Sequence, residues 1–117
     1  MAKILVVDDE HSQVEVLTML LVSEGFEVAA AFNGRDALAM LPSVQPNLII
    51  TDYMMPLMNG GEMTKLVRAS EHARVPIIMT SASDPQHIEQ QWQHHDAFIR
   101  KPYLWSDLLS LVIRLSH

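Results

Sequence analysis

The chain alternates between short, mainly apolar runs and longer segments with helical periodicity. Five runs read as strands, at 4–7, 26–31, 47–51, 75–80 and 97–100, with Pro76 tolerable near the start of the fourth. Between the first two, residues 12–24 place Val14, Leu17, Leu20 and Leu21 on one helical face, and Gly25 is suited to close that helix. Asn33-Gly34 reads as a turn, followed by a second helix over 35–41 that Pro42 should stop. A methionine-rich loop punctuated by Pro56, Asn59 and Gly60 precedes a third helix over 61–70. A weaker fourth helix is predicted over 84–92, with Pro85 in its first turn, and a last one over 105–115.

Strands without a polar face, separated by helices, imply a parallel sheet covered on both sides. Right-handed crossovers leave few ways to wind five such units. The expected fold is therefore α/β, a flavodoxin-like, doubly wound (βα)5 sheet of order 2-1-3-4-5, with its switch point between strands 1 and 3. No repeat, linker or low-complexity stretch divides the chain, so a single domain over residues 1–117 is expected.

Composition narrows the function classes. With 49% hydrophobic and 19% charged residues in 117, the chain suits a globular protein with a substantial core. The net charge is −6 and Lys and Arg form no cluster, which argues against direct binding of nucleic acid. No apolar run approaches the roughly 20 residues a membrane span needs. The first apolar run meets acids too soon for a signal peptide, and cysteine is absent, so a cytoplasmic location is expected.

In such folds ligands bind outside the carboxyl ends of the strands. Strand 1 ends in Asp8-Asp9-Glu10, strand 3 in Asp52, strand 4 in Thr80-Ser81 and strand 5 in Lys101-Pro102. Each alone is an ordinary loop or capping residue. Together they bring carboxylates, hydroxyls and an ammonium to one rim. Clustered carboxylates repel unless a cation joins them, and Mg²⁺, held by one or two carboxylates with phosphate oxygens and water, is the expected ion, with other divalent cations able to substitute.

Four segments carry a more specific signal: Ile4-Leu5-Val6-Val7-Asp8-Asp9-Glu10; Asp52-Tyr53-Met54-Met55-Pro56 with Asn59-Gly60; Pro76-Ile77-Ile78-Met79-Thr80-Ser81-Ala82; and Phe98-Ile99-Arg100-Lys101-Pro102-Tyr103. In this order and spacing, they resemble a response-regulator receiver domain, the CheY-like module of two-component signalling, over essentially the whole chain. The resemblance implies a signalling phosphoacceptor that catalyses only its own phosphorylation and dephosphorylation. Asp52 corresponds to the residue that takes a phosphoryl group from a phosphohistidine on a histidine kinase or phosphotransfer protein. Asp9, Asp52 and the backbone carbonyl of Met54 correspond to direct Mg²⁺ ligands, and Asp8 to a ligand through water. Lys101 and Ser81 correspond to partners of the phosphoryl oxygens, with Thr80 the rival for the hydroxyl role. Phe98 corresponds to the aromatic switch, so the face built from the fourth helix, the fifth strand and the last helix is expected to engage an effector or a second copy.

The chain also departs from the family. Gln93-His94-His95-Asp96 replaces the usual glycine-containing turn before strand 5, and its histidines read as polar turn residues rather than metal ligands. Leu104-Trp105 stands where the last helix usually has its cap, leaving Ser106 as a later candidate. Apolar residues on that helix exceed one stripe, which with Trp105 predicts an exposed interaction patch. Two other functions compete: a receiver-like scaffold that is never phosphorylated, and a haloacid-dehalogenase-like phosphatase. The latter places its nucleophile after strand 1 as Asp-x-Asp, unlike Asp8-Asp9. A nucleotide-binding turn after strand 1 would need glycines that are absent.

Overall fold

A computed structural model describes residues 2–82 and 94–116. The five strands are β1 (Lys3–Val7), β2 (Glu27–Ala31), β3 (Leu48–Asp52), β4 (Ile77–Ser81) and β5 (Ala97–Arg100). They form one parallel sheet in the order β2-β1-β3-β4-β5, as the pattern of apolar runs predicts. Four helices are described: α1 (His11–Ser23), α2 (Gly34–Val44), α3 (Gly60–Arg68) and α4 (Trp105–Leu115). The helix expected over 84–92 lies outside the described residues, as does Gln93 of the unusual turn.

Alternation along the strands divides the core in two. Ile4, Val6, Leu48, Ile50 and Ile78 face α1 and α4, meeting Val14, Leu21, Leu108 and Val112. Leu5, Val7, Ile49 and Ile77 face the other side, meeting Leu41 of α2 and Met63 and Val67 of α3. β1, β3 and β4 are buried on both faces, which is why they read as unbroken apolar runs.

Several boundaries differ from expectation for identifiable reasons. α2 runs through Pro42 to Val44 rather than stopping there. The proline sits in the last turn on an exposed side, so the break is avoided, and Gln45 ends the helix in the left-handed region at φ 47°. Asn33 does not merely turn the chain: its side chain accepts from Asp36 N–H at 2.7 Å and caps α2. Asn59 and Glu62 form a reciprocal capping box, so α3 begins at Gly60. Gly25, at φ +95°, follows the end of α1 as expected. Ser106 is not the cap of α4; Leu104 holds that position without a side-chain hydrogen bond.

The expected surplus on α4 is largely covered. Leu109, Leu111, Leu115 and Trp105 are half-buried, leaving Leu104 and Ile113 as its exposed large hydrophobics. An exposed apolar patch lies instead on α1, where Val16, Met19 and Val22 are 59%, 70% and 54% exposed. Among the described residues, no helix is long and apolar enough to cross a membrane.

Candidate phosphoacceptor and metal site

The carboxyl edge of the sheet brings the separated motifs together. Asp8 leaves β1, with its N–H donating to Ala31 O of β2 at 3.2 Å. Its Oδ1 accepts from Glu10 N–H at 3.0 Å, which turns the chain into α1 and leaves Asp9 exposed. Asp52 is the last residue of β3, level with Thr80 of β4. Carboxylate oxygens of Asp8, Asp9 and Asp52 lie within 4.8 Å of one another. Asp8 and Asp52 are buried while Asp9 faces solvent, so the cluster opens outward at Asp9.

Lys101 reaches this cluster from beyond β5. Its Nζ lies 3.2 Å from Asp8 Oδ2 and 3.6 Å from Asp52 Oδ1, and donates to Gln13 Oε1 of α1 at 2.6 Å. Its own N–H donates to Ser81 O at 2.8 Å, and the Lys101-Pro102 peptide is cis. Desolvation by burial alone would lower the Lys101 pKa, but Asp52 and Asp8 outweigh it and hold the ammonium above its ordinary value.

Asp52 carries the electrostatic signature of the site. Burial pushes its pKa from 3.8 up to about 6, with the charges of Asp8 and Asp9 adding to the rise. Lys101 and the Tyr53 backbone N–H oppose that rise without cancelling it. The single ammonium thus does not offset burial and the neighbouring carboxylates. This donor set fits a hard divalent ion such as Mg²⁺, which binds through carboxylate and carbonyl oxygens.

Ser81 and Thr80 occupy different sides of β4. Thr80 Oγ1 turns back toward Thr51 O at 3.4 Å, and Thr80 lines a small cavity beneath Asp52 with Lys101 and Tyr103. Ser81 is buried at the end of β4, on the side shared by Ile77 and Met79. Phe98 is the register partner of Met79 and is half-buried. Met54 is exposed and lines the mouth of the site.

Two participants escape sequence reasoning. Gln13 holds Lys101 and also donates from Nε2 to Glu10 Oε2 at 3.0 Å. Its place in the first turn of the helix after the acids was the available signal. Tyr103 packs beside Lys101, and burial pushes its phenol pKa up, with Lys101 opposing and Asp8 and Asp52 adding. From the carboxylates a groove of about 790 Å³ runs over Val16, Leu17 and Leu20 of α1 toward Tyr103 and Trp105.

Known proteins share this fold. The profile of the family described as "Response regulator receiver domain" matches residues 4–113. This chain belongs to the response-regulator receiver family. The receiver is 36% identical over 112 residues to the DNA-binding response regulator MtrA of Mycolicibacterium paratuberculosis, covering 94% of this chain and 49% of MtrA. It thus spans about half the length of these curated relatives. The receiver fold superposes on chemotaxis protein CheY4 of Vibrio cholerae with a TM-score of 0.91, 33% identity and 98% of each chain covered. Response regulator TrrA of Thermotoga maritima, solved with Mg²⁺ and BeF, gives 0.89 at 32% identity, covering 98% of this chain and 99% of TrrA. The chain is accordingly a receiver of two-component signalling.

Proposed function

We propose that this receiver accepts a phosphoryl group from a phosphohistidine onto Asp52, with Mg²⁺ bound beside it. The observation that carries the reading is the meeting of three carboxylates within 4.8 Å, two of them in reach of the Lys101 ammonium, at the sheet's carboxyl edge. A carboxylate oxygen of Asp52 would form the new O–P bond while the N–P bond of the donor breaks and its electron pair returns to the imidazole. Bound Mg²⁺ would offset negative charge on the transferring oxygens. Asp9, Asp52 and the Met54 carbonyl are the groups to hold it directly, and Asp8 through water. Lys101 would pair with a phosphoryl oxygen and Ser81 would hydrogen-bond another.

The donor is a histidine kinase or phosphotransfer protein, and the groove beside α1 is its line of approach to Asp52. Val16, Leu17 and Leu20 give that approach an apolar wall on the α1 side. The signal would leave through Phe98 and the face of β5 and α4, toward an effector or a second copy. A cytoplasmic location fits the presence of such donors.

Intact mass after acetyl phosphate with Mg²⁺ tests the reading. One added phosphoryl group is expected on wild type and none on Asp52→Asn. Equal labelling of both proteins would overturn the assignment.

A further inference from the structure

Apart from the two main cores, a third cluster joins Tyr53, Met79 and Phe98. Tyr53 is the residue bonded to Asp52, and Phe98 is the half-buried ring on β5. We propose that Tyr53 is a positioning residue that carries the state of Asp52 to the Phe98 ring through the packed cluster of Tyr53, Met79 and Phe98, alongside any route through the Ser81 hydroxyl. This inference rests on the phosphoacceptor reading of Asp52.

The backbone at Tyr53 is held from both sides. Its N–H donates to Thr80 O at 2.8 Å, and its carbonyl accepts from Gly60 N–H at 2.8 Å. A rearrangement of the Asp52 carboxylate therefore cannot be absorbed by sliding of the next peptide. It passes into the orientation of the Tyr53 ring, a large rigid side chain that is 9% exposed. Met79, in the same cluster, is fully buried. A Cβ placed on Gly60 would lie 2.7 Å from Met79 Sδ, 2.9 Å from Tyr53 Cα and 2.5 Å from Asp52 O, so α3 forms a close wall there. Packed interiors shift between discrete arrangements rather than deforming smoothly. With Met79 backed by α3, the half-buried Phe98 is the member of the cluster with room to change rotamer.

The route is separable from phosphoryl chemistry, since Tyr53 contributes to the cluster through its ring and to the site through its backbone. Tyr53→Leu removes the ring and keeps the backbone; Tyr53→Phe keeps both. The test titrates beryllofluoride with Mg²⁺ into full-length protein carrying ring-labelled phenylalanine, with Phe98→Leu assigning the signal. Wild type and Tyr53→Phe should show the full Phe98 shift. Tyr53→Leu should lose at least half of it while its beryllofluoride affinity stays within about threefold. Met79→Ala, which truncates the buried member of the cluster, should reduce the shift in the same direction and keeps the test open if Tyr53→Leu fails to fold. A full Phe98 shift in the ring-deletion variant would overturn the relay, and so would a parallel loss of beryllofluoride binding. Absence of beryllofluoride binding in wild type would instead remove the phosphoacceptor reading, and the relay with it.

Discussion

The Arg68 guanidinium meets the Asp96 carboxylate at 2.7 Å, joining the end of α3 to the start of β5. The same Asp96 oxygen accepts from Ile77 N–H at 2.8 Å, while Arg68 also donates to the carbonyls of His94, Ala73 and Val75. One side chain thus closes the turn in which this receiver lacks the family's glycine. Arg68→Ala would leave the part-buried carbonyls of His94 and Val75 without this donor, and the expected loss is about 2–4 kcal/mol in urea unfolding. Arg68→Lys, which cannot fork to so many acceptors, should recover only part of it.

Acidification should silence Asp52 before it unfolds the protein. With the carboxyl pKa at about 6, the nucleophilic form is dominant at pH 7 and is lost on descending through 6. In metal-free protein, the Asp52 carboxyl ¹³C shift should follow that titration by NMR, with its midpoint near 6.

The same shift fixes a sign for stability. A carboxyl whose folded pKa, about 6, exceeds its ordinary 3.8 favours folding at low pH, and that contribution is lost as pH rises through 6. Asp52→Asn should therefore be more stable than metal-free wild type at pH 7, by on the order of 2 kcal/mol, with the gap closing toward pH 4. Saturating Mg²⁺ should raise the melting temperature of wild type and leave Asp9→Ala largely unaffected.

Lys101→Ala should push the Asp52 pKa still higher, because the ammonium 3.6 Å away is the largest influence lowering it. A carboxyl titration that moved downward would contradict this electrostatic account.

Gly60→Ala places a methyl group 2.5 Å from the Asp52 carbonyl oxygen and 2.9 Å from Tyr53 Cα, and backbone atoms cannot step aside as a side chain does. Destabilisation of about 1–3 kcal/mol is expected, together with weaker Mg²⁺ binding, since the displaced strand end carries Asp52. Calorimetry against Gly61→Ala gives the comparison.

Much of this architecture is legible in the sequence because burial on both faces leaves an unmistakable apolar run. β5 (Ala97–Arg100) and α4 (Trp105–Leu115) match their predicted spans, and Asp8, Asp9, Asp52 and Lys101 meet where strand-end reasoning places them. What stayed hidden depends on context. Pro42 looks like a stop, yet the last turn of a helix tolerates it. Asn59 looks like loop punctuation until Glu62 reaches back to its N–H at 3.1 Å. The excess apolar residues of α4 look exposed, but Trp105, Leu111 and Leu115 pack against the core cluster on that side of the sheet. Conversely, Val16, Met19 and Val22 attract no notice within a helix whose buried stripe is already accounted for.

Lys101 is held at both ends: its backbone N–H is pinned to Ser81 O, and its ammonium spans Asp8 and Asp52. The strand end bearing the hydroxyl and the charge that meets the carboxylates are therefore two arms of one lever. A pull on the ammonium is felt at the tip of β4 through a single residue, without any need for the sheet between them to deform.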